Sequence, residues 1–272
     1  MTFKFSVSAA CVAVAAAVSA PAAASTFTPD IELVSGITFE KIPFGEAAPQ
    51  IGFGSLMRQE NFDGAATEGS SSGGPGSGAA GDTDAVARTA GNVFDSDANG
   101  AGVGVFRGLG GTGNGLSAIE GGTEIQIRKG NNFGRINVLD PGGNFLDSND
   151  TEGFSWEFGN FDGLREAAAF ITDPNDNGGL LRVDLEIDGD TVWGGSIADS
   201  VPGDSRWLLT ADLTGIAGDW TSAKFIFTSA VNDGIGISNA TLSAIPLPAP
   251  ILMLLSGIGV LGGISWRKRQ SA

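Results

Sequence analysis

The stretch Leu181-Arg-Val-Asp-Leu-Glu-Ile-Asp-Gly-Asp-Thr-Val-Trp193 determines the fold class of this chain. Apolar residues alternate with charged residues from Leu181 to Ile187, which is the period-two pattern of a strand with one buried and one solvated face. Asp188-Gly189-Asp190 follows, and an Asp-Gly pair is favoured in tight hairpin turns. Thr191-Val192-Trp193 then begins a second run of strand-forming residues. The stretch therefore predicts two antiparallel strands joined by a tight turn.

Other segments repeat this alternation. Gly153–Gly159 would place three aromatic side chains on one face of a strand. The remaining alternating segments are Glu124–Arg128, Trp207–Leu213 and Lys224–Thr228. Glycine, aspartate and asparagine residues separate them, and short strands divided by such turns are typical of antiparallel sandwiches. We therefore predict an all-β protein, an antiparallel β-sandwich of the jelly-roll type.

One segment fits either a helix or a strand. The apolar residues of Phe161–Phe170 are spaced as on one helical face around Arg165 and Glu166. The run Ala167–Ile171 can equally enter a strand. The sequence alone leaves both alternatives open.

Two glycine-dense stretches interrupt the pattern of strands. Gly64–Gly81 has no periodicity and too little apolar surface to offset the entropy of ordering. Strands near Ile37–Phe39 and Ile51–Phe53 are too few to form a separate domain before it. We therefore predict that Gly64–Gly81 is a flexible loop within a single domain of residues 25–244, and that Gly108–Gly122 is a similar loop.

The amino-acid composition excludes several kinds of catalytic site. The chain contains no histidine and no tyrosine, and its single cysteine is Cys11. Hydrolases that use a histidine base with serine or cysteine are therefore excluded. Four of the 15 basic residues, Lys4 and Arg267–Arg269, lie near the termini, so residues 25–244 carry 11 basic against 31 acidic side chains, a net charge of −20. Such a surface repels phosphate groups, and we predict no nucleic-acid partner.

Two acidic turns are similar to calcium-binding loops. Asp173-Pro-Asn-Asp-Asn-Gly178 has oxygen-bearing side chains at alternate positions, glycine sixth, and Asp184 at the twelfth position. Asp95-Ser-Asp-Ala-Asn-Gly100 matches only the first half, because Phe106 at its twelfth position cannot bind a metal. Aspartate and asparagine are also common in ordinary turns. Two alternatives remain: plain turns without any cofactor, or a calcium site formed by Asp173, Asn175, Asn177 and Asp184.

The N-terminal segment has the three parts of a secretory signal peptide. Met1–Ala24 contains Lys4, then an apolar region around Val7–Val18, then Ala22-Ala23-Ala24 as a small-residue cleavage site. We predict cleavage by signal peptidase after Ala24. Cys11 is removed with this segment, so the mature chain has no disulfide and no thiol nucleophile.

The C-terminal segment has the composition of a membrane anchor. Pro246, Pro248 and Pro250 keep the chain extended, and the uncharged apolar run Ile251–Trp266 follows. Together with the residues before it, this run approaches the roughly 20 apolar residues that span a bilayer, and we predict a single C-terminal transmembrane helix here. The basic residues Arg267, Lys268 and Arg269 stay on the cytoplasmic side by the positive-inside rule, which places the preceding chain outside.

Residues Ile245-Pro246-Leu247-Pro248-Ala249, with the apolar run and the basic triplet, resemble the PEP-CTERM class of bacterial sorting signals, in its Val-Pro-Leu-Pro-Ala variant. Only Ile245 departs from that motif. The resemblance implies a Gram-negative envelope protein that is held transiently in the inner membrane and processed near the motif by an exosortase. It also implies a sandwich whose last strand runs directly into the sorting signal, and a final location at the cell surface or in the extracellular matrix.

Two classes of function fit these features. The first is a non-catalytic envelope or matrix protein, structural or associated with exopolysaccharide. The second is a carbohydrate-binding or carbohydrate-active sandwich, in which exposed Trp193, Trp207 or Trp220 stack on sugar rings or a pair of carboxylates hydrolyses them. Because tryptophan on a strand is more often buried in the core than exposed, we favour the first class and predict no enzyme activity.

Overall fold

The computed structural model describes residues 26–43, 46–49, 51, 56–63, 70–71, 85–89, 92–98, 100–109, 125–132, 135–148, 151–161, 164–173, 181–197, 205–229 and 234–244. The signal peptide, the sorting motif, the apolar run and the basic triplet lie outside these residues. So do most of Gly64–Gly81 and Gly108–Gly122. Within the described ranges, no helix is long and apolar enough to cross a membrane.

Nearly all regular structure in the described residues is strand. The strands are β1 (Thr28–Glu32), β2 (Ile37–Ile42), β3 (Leu56–Glu60), β4 (Ser70–Ser71), β5 (Ala85–Thr89), β6 (Val93–Asp95), β7 (Val105–Gly108), β8 (Gln126–Lys129), β9 (Asn131–Asn132), β10 (Arg135–Ile136), β11 (Asn144–Asp147), β12 (Gly153–Gly159), β13 (Leu164–Thr172), β14 (Leu181–Ile187), β15 (Asp190–Ile197), β16 (Arg206–Asp212), β17 (Ser222–Thr228) and β18 (Gly236–Ala244). A 3-10 turn, Leu213–Gly215, follows β16.

The strands form two large antiparallel sheets. The seven-stranded sheet has the order β1-β15-β14-β17-β12-β7-β6. The nine-stranded sheet has the order β2-β16-β13-β18-β11-β8-β5-β4, with β3 paired to β18, and β9 and β10 form a small separate hairpin. One apolar cluster contains Trp156 and Phe225 from the first sheet and Ile171, Leu209 and Ile237 from the second. The predicted all-β, antiparallel architecture is confirmed, and two sheets that share one core are consistent with a β-sandwich.

The hairpin predicted from Leu181–Trp193 is confirmed. Asp188 and Gly189 both have positive φ angles, 49° and 93°, as a tight type I′ turn requires. The Asp188 carboxylate accepts hydrogen bonds from the Thr221 hydroxyl and from the backbone amides of Thr221 and Ser222. These bonds, led by that of the Thr221 hydroxyl, lower the pKa of Asp188. The turn is therefore tied to the start of the neighbouring strand β17.

Most of the other strands predicted from the sequence are present in the structure. Strands near Glu124–Arg128, Gly153–Gly159, Trp207–Leu213 and Lys224–Thr228 are confirmed, with bounds that shift by a residue or two. The strand expected near Ile37–Phe39 is confirmed as β2, whereas most of Ile51–Phe53 lies outside the described residues.

The helical alternative for Phe161–Phe170 is wrong, because the segment forms strand β13. β13 pairs with β16 on one side and with β18 on the other. Its residues from Ala167 to Thr172 are all buried, so both faces of the strand are covered. Tertiary pairing in the middle of a sheet has overridden the local helical pattern.

The last strand, β18, changes phase along its length. Ile235 and Ile237 reach the core before Asn239, whereas Ala240 and Leu242 reach it afterwards. Asn239 has a φ of 53°, and the register with β13 slips by one residue at this point, which is a β-bulge. Before the bulge β18 pairs with β11, and after it with β3.

Candidate functional site

The three tryptophans proposed as sugar platforms belong to the core. Trp193 is 2% exposed, Trp207 1% and Trp220 8%. The ring of Trp193 stacks on Phe27 at 5.2 Å, and that of Trp207 stacks on Phe39 at 5.1 Å. Their faces are therefore already covered, and the stacking role expected from exposed tryptophans is corrected to a packing role.

The candidate calcium ligands are only partly described, because Asn175 and Asn177 lie outside the described residues. Asp173 follows β13 in the nine-stranded sheet, whereas Asp184 lies in β14 of the seven-stranded sheet. Asp184 forms an ion pair with Arg182 at 2.7 Å. Calcium would have to compete with arginine for this carboxylate, and within the described ranges no group of three or more acidic side chains could hold a metal. The calcium site stays a prediction.

A buried ionic network lies on the outer face of the nine-stranded sheet. Arg128 Nε is 2.5 Å from Asp147 Oδ2, and Arg135 Nη1 donates to Asp147 Oδ1 at 2.8 Å. Arg135 Nε also approaches Asp173 Oδ2, at 3.7 Å. The side chains of Arg128 and Asp147 are 0% exposed. Two arginines and two aspartates balance in charge, as burial of ions requires.

The segment that follows β9 covers this network. The Ile136 amide donates to the Thr172 hydroxyl at 3.3 Å, and the Val138 amide donates to the Ser238 hydroxyl at 3.2 Å. These bonds fasten residues 135–143 to strands β13 and β18. Because the covered charges satisfy one another, we interpret the network as part of the fold and not as a reaction centre.

A surface cleft of about 150 Å³ opens at the end of the sandwich where β18 ends. It lies between β3, the loop that joins β6 to β7, and the residues after β12. The residues that line it include Arg58, Asp97, Gly102, Phe158, Asn160, Phe161 and Leu242. The cleft thus combines a cationic, an anionic and an amide side chain with buried apolar ones.

Hydrogen bonds hold the described residues of the β6–β7 loop at one wall of the cleft. Asp95 Oδ1 accepts from the Asp97 amide at 3.0 Å, and Asp97 Oδ1 accepts from the Gly104 amide at 2.9 Å. Trp156 Nε1 donates to the Val103 carbonyl at 2.7 Å, which fastens the loop to the core. In the described part of this acidic turn, the carboxylates of Asp95 and Asp97 bind backbone amides, as aspartates in ordinary turns do.

Two glycines of this loop are required by its path. Gly104 has a φ of +100°, and a Cβ there would collide with the carbonyl oxygen of Glu157. Gly102 has a φ of +70°, and a Cβ there would lie 3.3 Å from Arg58 Cδ. The glycines let the loop approach the sheet closely enough to form the wall.

The polar side chains on the opposite wall have fixed orientations. The guanidinium carbon of Arg58 lies 3.9 Å from the centroid of the Phe161 ring, and its Nη1 donates to the Gly102 carbonyl at 3.3 Å. Asn160 Nδ2 donates to the Trp220 carbonyl at 3.0 Å. Arg58 forms no ion pair with any described carboxylate, including Asp97 across the cleft. Arg58, Asn160 and Phe161 could not be identified as neighbours from the sequence, since no local motif joins them.

Comparison with known proteins does not assign the chain to a family. No family model matches the sequence, and no curated protein matches it. Among solved structures, the apo form of a cyclase from Fischerella sp. covers 46% of this chain and 75% of its own length, at 9% identity and a TM-score of 0.28. A likeness of this degree supports no argument about fold or function. The chemistry of the cleft has to be inferred from its own residues.

Proposed function

We propose that this chain is an exported envelope or extracellular-matrix protein of a Gram-negative bacterium, with a structural, non-catalytic β-sandwich that is sorted by an exosortase. The proposal rests first on the two terminal segments, which carry the features of a signal peptide and of a tripartite sorting signal.

The observation that carries the proposal is how far the last described strand extends. β18 is paired as far as Ala244, and the motif Ile245–Ala249 begins at the next residue. Ala244 pairs with Leu164 of β13 on one side and with Leu56 of β3 on the other. The sandwich therefore takes up the chain as far as the motif. This division supports a folded body followed directly by a processing segment.

Proline substitution within the motif tests this function. Pro248→Ala changes the extended motif, whereas Pro250→Ala lies just outside it and is the matched control. In cells that contain an exosortase, we expect Pro248→Ala to accumulate as an unprocessed membrane form, while Pro250→Ala is processed like the parent chain. Intact-mass measurement of envelope material separates these species. Normal processing of both variants would refute the sorting role.

The basic triplet provides a second test of the same function. Joint replacement of Arg267, Lys268 and Arg269 by glutamine should impair membrane retention or orientation, because the positive-inside rule acts on these charges. The ectodomain should still fold, as judged by circular dichroism. Normal localisation of this variant would contradict the topology that we propose.

Glycan binding through the three tryptophans is not proposed, because these side chains are buried. Hydrolysis by a pair of carboxylates is not proposed either, since no two carboxylates are shown to line one groove among the described residues.

A further inference from the structure

We infer that the cleft beside Arg58 is a binding site for a single neutral sugar residue. The inference deepens the proposed matrix role and rests on it for its biological setting.

The cleft is formed before any ligand arrives. The carbonyl of Val103 and the carboxylates of Asp95 and Asp97 are all held by hydrogen bonds that fix the β6–β7 loop. On the other wall, the Phe161 ring supports the Arg58 guanidinium from below. Sites that bind small molecules are usually preformed concave surfaces with a few fixed polar groups.

Each polar side chain keeps capacity for a ligand. Arg58 has five N–H donors, and the described contacts use one of them, on the Gly102 carbonyl. Asp97 uses Oδ1 for the Gly104 amide, which leaves Oδ2 as an acceptor. Asn160 is oriented through its Nδ2, so that its Oδ1 is also available as an acceptor. The cleft therefore offers the donors of Arg58 and an acceptor of Asn160 on one wall, and an acceptor of Asp97 on the other.

This arrangement favours a neutral ligand rich in hydroxyl groups. A hydroxyl group can accept from a guanidinium and donate to a carboxylate, whereas a carboxylate or an ammonium group can do only one of these. Asp97 would repel an anion, and Arg58 would repel a cation. The apolar side chains of Phe158 and Leu242 suit the C–H groups of a sugar ring.

The dimensions of the cleft limit how much of a glycan can enter. A volume of about 150 Å³ is below the usual range for drug-sized ligands, roughly 300–1,000 Å³. One ring fits this space better than an extended segment. The inferred ligand is thus the terminal or branching sugar of a longer neutral polysaccharide.

The test is a titration of the full-length chain, purified in a detergent without a sugar head group, with defined trisaccharides. The probes are trisaccharides of glucose, N-acetylglucosamine and galacturonate, and binding is measured by saturation-transfer NMR and calorimetry. We expect at least one neutral trisaccharide to bind and the galacturonate trisaccharide not to bind.

Variants assign the binding to the cleft. Arg58→Lys keeps the charge but removes the fixed fork of donors, and Asp97→Asn keeps the acceptor for Gly104 but removes the second carboxylate oxygen. Each should weaken neutral-sugar binding about tenfold, as loss of one hydrogen bond to a charged group predicts. Arg107→Lys and Asp190→Asn, at exposed positions that do not line the cleft, are the controls and should leave affinity unchanged.

Three results would overturn the inference: no binding of either neutral trisaccharide, binding of galacturonate alone, or equal affinity in the parent and both cleft variants. Failure here is distinguishable from failure of the sorting proposal, which is measured by processing in cells. If the chain is processed but binds no sugar, only the inference that the cleft binds a sugar is refuted. A chain that binds sugar but is not processed refutes only the sorting role.

Discussion

Replacement of Asp147 by asparagine should be among the most destabilising single changes in this protein. Asp147 is 0% exposed and forms ion pairs with both Arg128, at 2.5 Å, and Arg135, at 2.8 Å. Asparagine has nearly the same shape but no charge. The substitution would remove the charged partner that two buried guanidinium groups share.

The size of the effect follows from the burial. Removal of one partner from a buried ion pair typically costs about 3–5 kcal/mol, because the other charge remains desolvated. Arg128 is 0% exposed, so little water can reach it to compensate. For a domain of this size the loss corresponds to a decrease in melting temperature of roughly 6–20 °C.

A matched surface pair provides the control. Arg182 and Asp184 also form an ion pair at 2.7 Å, but their side chains are 32% and 17% exposed. Asp184→Asn should therefore cost less than about 1 kcal/mol. Urea denaturation of the parent chain and both variants, with unfolding followed by tryptophan fluorescence, gives the two differences in free energy. A loss of less than about 1 kcal/mol for Asp147→Asn would refute this account of the network.

Three further predictions concern a glycine, a carboxylate and calcium. Gly130→Ala should destabilise the protein by about 1 kcal/mol, and Gly104→Ala by several times more. Both glycines have a positive φ, but of the two only Gly104 lacks space for a Cβ. Equal melting temperatures of the two variants would contradict this prediction. Burial, and then the like charge of Asp212, raises the pKa of Glu166 in the folded protein above its usual 4.5. The stability of the fold should therefore decrease as the pH rises from 4.5 to this raised pKa. Glu166→Gln should therefore raise the melting temperature at pH 7 and lose this advantage below pH 4.5, whereas a gain that is constant with pH would argue against it. Calcium and sodium at equal ionic strength should shift the melting temperature alike if the acidic turn is an ordinary one; a larger shift with calcium, abolished in Asp184→Asn, would establish the metal site.

The strands could be predicted from the sequence wherever one face is buried and the other is wet. In β14, apolar and polar residues alternate strictly, and the burial of their side chains alternates in the same way. In β17 the burial alternates as well, although the apolar Ile226 occupies one of the half-buried positions. The hairpin after β14 was equally predictable, because Asp188-Gly189 is a pair that accepts positive φ at both positions.

Prediction fails where both faces of a strand are covered. In β8, Arg128 looks like a solvent-facing residue of an alternating strand, yet it is buried because a later segment, residues 135–143, lies over that face. In β18 the bulge at Asn239 exchanges the two faces halfway along the strand. Neither the cover nor the bulge has a local signal in the sequence.

The cleft was not predictable for a related reason. Its polar groups come from β3, from the β6–β7 loop and from the residues after β12, which are distant in the sequence. Only the packing of the two sheets brings Arg58, Asp97 and Asn160 together. Gly102 and Gly104 allow a close approach of the backbone, but the sequence does not show what they approach.

The pairing of the first three strands has a consequence for how the chain folds. Thr28 of β1 pairs with Ser196, Ile37 of β2 with Ala211, and Leu56 of β3 with Ala244. Contacts between such distant parts of a chain make folding slow, since long loops must close before the contacts form. If the protein is exported N-terminus first, strands β1 to β3 leave the membrane before the strands that pair with them. Their edges stay unpaired until those partner strands have been exported. The high negative charge of the chain would then act before folding is complete. Electrostatic repulsion between unfolded chains opposes their aggregation while the edges of their strands are still unpaired.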